Sequence, residues 1–339
     1  MGTRPIRPLT TVALGAVALA LTSGCGVGDK QDQADIITRT PEVAVSKGTA
    51  SGTLTIESTP KRSTSSLRTA APAAAAAALG ASGDASLIAP VRFDFAGGRS
   101  EVVVSFAPSA PPAEAPAADA PPADAPAEPA APASPPPSGT TAVFARDVAY
   151  VQRVNRRPAE RRIWAGLDFG ALPSDEAAPD QADISDAERL YAVATTINPR
   201  YLLELAEGAL AGSVELVGAE DIGGVRTQHY RANMSIEKAT SEVDLDEDEI
   251  ETRRQIFRLA GIGGDVHKAE FWVDGEGQLR RSRFVLEQRL FPRVNNRVTV
   301  TLDLTAYGEP LELQAPAKEE TVRVDRYGRF VRAVLPRNA

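Results

Sequence analysis

The chain has 339 residues, 43% of them hydrophobic but only 5% aromatic, with a formal net charge of −8 and a sequence pI of about 5.1. That length admits one or two domains, and an acidic chain without a basic stripe is not built to hold nucleic acid. One cysteine, Cys25, excludes an internal disulfide framework and any zinc site made of several thiolates.

Arg4 and Arg7 precede the apolar run Leu9 to Leu21, the plan of a secretory signal. The run is shorter than the about 20 residues a membrane-spanning helix needs. It ends in Leu21-Thr22-Ser23-Gly24-Cys25, which resembles a bacterial lipobox, with Thr22 where leucine is usual. The resemblance implies removal of residues 1–24, diacylglycerol on the Cys25 thiol, and anchoring to the cell membrane, for which two acyl chains suffice. Cleavage there deletes two arginines and leaves 35 basic against 45 acidic side chains, a net of −10.

Residues 25–68 are rich in Ser, Thr, Gly and Lys and read as a flexible tether, with a short strand over 49–56. The alanine run Ala70 to Ala81 has the highest helix propensity. Val91, Phe93 and Phe95, then Val102, Val104 and Phe106, alternate about a Gly97-Gly98 turn and read as a hairpin. Residues 107–138 contain 12 prolines and 13 alanines; such a segment packs no core and reads as an extended insert between two strands of one domain. Strand patterning resumes at Val143 to Arg153 and Arg162 to Phe169.

Ser185 with Glu188 forms a capping box for a helix to about 197, and Asn198-Pro199 opens a second, to about 210, with Leu202 and Leu205 on one side. Ser213 to Ile236 reads as a hairpin about Gly223-Gly224, with Tyr230, Ala232, Met234 and Ile236 on one face. Asp246 caps a third helix over 246–259, and 268–274, 279–288 and 297–304 alternate as three antiparallel strands. Val300 and Leu302 belong to the cleanest alternation in the chain. Residues 317–339 are charged and read as a peripheral tail.

Catalytic and metal patterns are scarce. His229 and His267 belong to no metal-binding pair and read as strand residues. Asp244, Asp246 and Asp248 open like a calcium loop, but Glu249 and Gln255 stand where such a loop needs Gly and Glu. Gly261-Ile262-Gly263-Gly264 leads into a strand, which rules out a dinucleotide loop, and there is no nucleophile elbow. The chain is expected to be no enzyme and to need no cofactor.

One run of features carries a resemblance. Asn198-Pro199 with Leu202-Leu203 precedes Val217-Gly218, Glu220, Gly224, Thr227 and Tyr230; further on come Phe271-Trp272-Val273-Asp274, Gly277, Leu279-Arg280-Arg281 and Tyr307-Gly308 with Pro310. These resemble the actinobacterial lipoproteins of the LppX/LprA/LprF/LprG group, over roughly residues 79–316 apart from the proline-rich insert. The resemblance implies an α+β fold similar to the lipoprotein carrier LolA: a strongly curved antiparallel sheet in a domain over 69–316, its concave face covered by helices. It also implies an apolar cavity that takes acyl chains of envelope lipids or lipoproteins, with Leu202, Leu205, Tyr230, Met234, Val300 and Leu302 as the expected lining. The expected protein is an exported, membrane-anchored monomer; the alternative is a sensor or protein-binding module on the same fold.

Overall fold

The computed structural model describes residues 30–60, 85–105, 139–153, 160–176, 186–242, 245–262, 264–290 and 294–335. Among these residues twelve strands form one curved, open sheet. In chain order they are β1 (Thr49–Pro60), β2 (Ala85–Asp94), β3 (Arg99–Ser105), β4 (Gly139–Ala145), β5 (Val148–Gln152), β6 (Trp164–Asp168), β7 (Glu215–Ile222), β8 (Val225–Ser235), β9 (Val266–Asp274), β10 (Leu279–Leu290), β11 (Val294–Tyr307) and β12 (Thr321–Val324). Spatially the order is β12-β6-β5-β4-β3-β2-β1-β11-β10-β9-β8-β7. Every neighbouring pair is antiparallel except β12 with β6.

Seven α-helices are described: α1 (Lys30–Thr38), α2 (Thr40–Ser46), α3 (Asp186–Thr196), α4 (Pro199–Glu204), α5 (Ile236–Glu242), α6 (Glu247–Leu259) and α7 (Tyr327–Val334). The expected α+β class is therefore present. The helix starts follow their caps. Asn198 accepts from the Arg200 N–H at 3.0 Å with Pro199 in the first turn, and Asp246 accepts from the Glu249 N–H at 2.9 Å. Gly223 and Gly224 both take positive φ, 58° and 82°, and close the β7–β8 hairpin where two glycines can do so without a Cβ clash.

Side chains alternate across the sheet, so pairing register sets which residues meet on the inner face. One inward row runs Ala89–Leu54–Leu302–Ser282–Phe271–Tyr230, and the next Leu87–Ile56–Val300–Phe284–Ala269–Ala232. α3 covers β1, β2, β3 and β5; α2 reaches β1 and β10; the 3-10 turn Leu205–Gly208 lies on β8, and α7 on β6. One apolar core joins these faces.

Three expectations need correction. The stretch 25–68, read as a tether with a short strand, contains α1, α2 and the twelve-residue β1 between β2 and β11. Its polar composition hid a strand whose inward positions, Leu54 and Ile56, are each 1% exposed and whose partners lie far away in sequence. Gly52 also belongs there for a reason: a Cβ would stand 1.8 Å from the Asp303 carbonyl oxygen. Second, 317–339 is not only a peripheral tail. β12 extends the sheet and α7 buries Tyr327, Phe330, Val331 and Val334. Third, the cover is wider than the three expected helices: α1, α2 and α7 share it, while α6 packs on α5 and on the 3-10 turn Phe169–Ala171.

The second expected helix also tightens into 3-10 geometry after Glu204, and Ile236 starts α5 instead of ending its strand. The strand patterning near 143–153 resolves into two strands, β4 and β5, turned at Arg146-Asp147. β3 and β4 pair directly, so the proline-rich insert joins neighbouring strands of one sheet. The insert, the alanine run over 70–81 and Cys25 lie outside the described residues.

Candidate functional site: the interior of the curved sheet

All six nominated lining residues are buried: Leu202, Leu205, Tyr230, Met234, Val300 and Leu302 lie within one core. Tyr230 and Leu302 occupy one inward row and Val300 the next. Leu202 and Leu205 come from α4 and the turn that follows it, and that turn packs against β8. The six side chains therefore lie together in the packed sheet–helix interior.

Sequence reasoning missed Ser282. It stands between Leu302 and Phe271 in the inward row, fully buried, and its hydroxyl has no hydrogen-bond partner among the described residues. Leaving a buried hydroxyl unpaired costs about 1–3 kcal/mol, so a serine amid apolar neighbours is an unusual choice for a closed core. The one available signal was a hydroxyl in step with Phe284 and Leu286, on an otherwise apolar alternation.

The helical cover is fastened by a polar cluster. Arg253 of α6 donates to Glu204 of α4 at 2.7 Å and stacks over the Tyr201 ring, 4.5 Å from its centroid. Arg200 reaches the other Glu204 oxygen, also at 2.7 Å. The Tyr201 hydroxyl donates to Asp147 in the β4–β5 turn. Asn198 ties the start of α4 to the sheet, accepting from Ser100 Oγ at 2.7 Å and donating to the Arg146 carbonyl at 3.1 Å. Burial pushes the Asp147 carboxyl above its usual range despite the Tyr201 hydrogen bond, and burial holds the Tyr201 phenol well above 10. This cluster can hold helices in place; it presents no nucleophile–base pair.

The two histidines sit on opposite faces. His229 stacks on Trp272 at 4.2 Å on the outer face, where Glu220 accepts from Trp272 Nε1 at 2.8 Å and contacts His229 Nδ1 at 2.9 Å. The Trp272 hydrogen bond, then His229, hold the exposed Glu220 carboxyl below its usual range. His267 alternates with Ala269 and Phe271 on the inner side; burial lowers its basicity and Nε2 contacts the Gly264 carbonyl at 3.1 Å. Among the described residues no group of three or more His, Cys, Asp and Glu is placed to hold a metal ion, and no helix is long and apolar enough to cross a membrane.

Two open clefts among the described residues lie away from the six nominated residues. One of about 160 Å³ separates α2 from α4, with Pro41, Val45, Phe95 and Leu203 beside Arg200 and Glu204. Another, about 240 Å³, opens over Gly166 at the β12 edge, beside Tyr150 and Arg323.

No protein-family model matches the chain, and no curated protein does. Solved structures similar to it include the lipoprotein LppX of Mycobacterium tuberculosis, with 12% identity, a TM-score of 0.37, and 84% of this chain and 100% of that one covered. LprF of Mycobacterium bovis is similar at 12% identity and TM-score 0.34, covering 84% of this chain and 97% of that one. An uncharacterized conserved protein from Thermus thermophilus follows at 8% identity and TM-score 0.31, with 86% and 99% covered.

Proposed function

We propose that this chain is an exported lipoprotein, cut before Cys25, anchored by acyl chains on that thiol to the outer face of the cell membrane, and able to hold an acyl chain of an envelope lipid or lipoprotein between its sheet and helices. It binds cargo and catalyses no reaction. The lipobox resemblance at residues 21–25 supports the anchor. The observation that carries the cargo reading is the inner face itself: apolar rows six strands wide, with the Ser282 hydroxyl unpartnered among them. An acyl chain matches the rows, and an ester or hydroxyl along it would supply the missing partner.

Titration with the fluorescent fatty acid cis-parinaric acid tests this reading. The native protein should give saturable enhancement, and Leu202→Trp, which fills the interior, should weaken it several-fold while circular dichroism stays native. Ser282→Ala should keep the fold and also weaken binding. Absence of saturable enhancement with the native protein would contradict the cargo reading.

A further inference from the structure

The chain between Cys25 and the first described residue, Lys30, is short. Five residues of chain span at most about 18 Å even when fully extended. A globule of about 230 residues, the size described here, has a radius of gyration near 17 Å and so a width of about 45 Å. A domain of that width on so short a leash cannot turn its α1 corner away from the surface that holds Cys25.

That corner is made by α1, the 3-10 turn Ala211–Ser213 and β7, which pack together, and Lys30 Nζ donates to the Gly212 carbonyl at 3.4 Å. It exposes large apolar side chains: Ile36 on α1 at 41%, Leu216 at 45% and Val217 at 44% on β7. Val45 on the adjoining α2 is 43% exposed. The other large apolar side chains exposed among the described residues, Ile88 and Val266, stand singly on β2 and β9. Isolated cases need no explanation, whereas a group does.

Among the described residues β7 ends the sheet, an edge open to extension by another strand. A register break between Leu216 and Gly218 and the exposed Glu220 and Asp221 interrupt that edge, the devices by which proteins discourage strand addition. Lipid needs no hydrogen-bond register and accepts a bulged apolar edge.

We propose that the α1–β7 corner is the membrane-docking face, with Ile36, Leu216 and Val217 entering the headgroup boundary of the same bilayer that holds Cys25. This rests on the lipid-anchor reading. Docking fixes one orientation of the domain and brings the cleft between α2 and α4 to the side near the lipid, since α2 follows α1 after a single residue.

Because Cys25 is the only cysteine, single added cysteines report position cleanly. Ile36→Cys, Val217→Cys, Ile88→Cys and Val266→Cys, each in the full lipidated chain, would carry a bimane label. Each protein would be reconstituted on phosphatidylcholine vesicles containing brominated lipid. Labels at 36 and 217 should be quenched several-fold more than labels at 88 and 266. If the proteins float with vesicles but all four labels are quenched alike, or those at 88 and 266 more, the docking face is wrong and the anchor stands. If the lipid-processed protein does not float, the anchor reading fails and the docking face falls with it.

Discussion

Arg253 of α6 meets Glu204 of α4 at 2.7 Å, with side chains only 11% and 9% exposed, and this pair fastens the outer helix to the inner one. Removing Arg253 leaves the buried Glu204 carboxylate to the partly exposed Arg200 alone, where breaking a buried pair outright costs about 3–5 kcal/mol, whereas replacing both members by apolar groups is often neutral. Arg253→Met should therefore destabilise the protein strongly in urea unfolding, and Arg253→Met with Glu204→Leu should recover most of the loss. Equal losses in the single and double variants would show that the pair is not the source.

Asp147 carries a pH signature. Burial holds its carboxyl above the ordinary 3.8, so the folded chain takes up this proton more readily than the unfolded one. The contribution to stability is fully present below about pH 3.8 and is lost as pH rises through the raised folded value. Asp147→Asn retains a hydrogen-bond acceptor for Tyr201 and removes the titration. Its stability relative to the native protein should rise between strongly acidic and neutral pH, read from thermal melts; a pH-independent difference would contradict this.

α7 is a structural element, and its removal should be felt in the core. Phe330 is fully buried, and the neighbouring Tyr327 hydroxyl lies 2.9 Å from Thr196 Oγ1 of α3, with burial pushing its pKa up to about 12. Phe330→Ala should cost about 3–5 kcal/mol in denaturant unfolding. A change within about 0.5 kcal/mol, the size expected at a surface position, would mean that the segment is peripheral after all.

What the sequence made legible was mostly local. The Gly223-Gly224 turn, the Asn198-Pro199 and Asp246 caps, and the alternation of Val298, Val300, Leu302 and Leu304 each act within a few residues, and the structure keeps all of them. β1 was less visible because its place is set by partners in β2 and β11, the latter more than two hundred residues away. α7 was passed over although Tyr327, Phe330, Val331 and Val334 stand at the i, i+3, i+4, i+7 spacing of an amphipathic helix, because the charged residues around this short segment made it read as a tail. At the candidate site the six nominated side chains came with the resemblance, on strands and helices that spacing made readable, whereas Ser282 stood out only once its register placed it between Leu302 and Phe271.

The most direct test of the cargo claim is to weigh the protein, purified from membranes, under non-denaturing and then denaturing conditions in a mass spectrometer. The account predicts an added mass beyond the chains on Cys25, lost on denaturation and identified as an acyl lipid. Repeated preparations with the same mass in both conditions would contradict it.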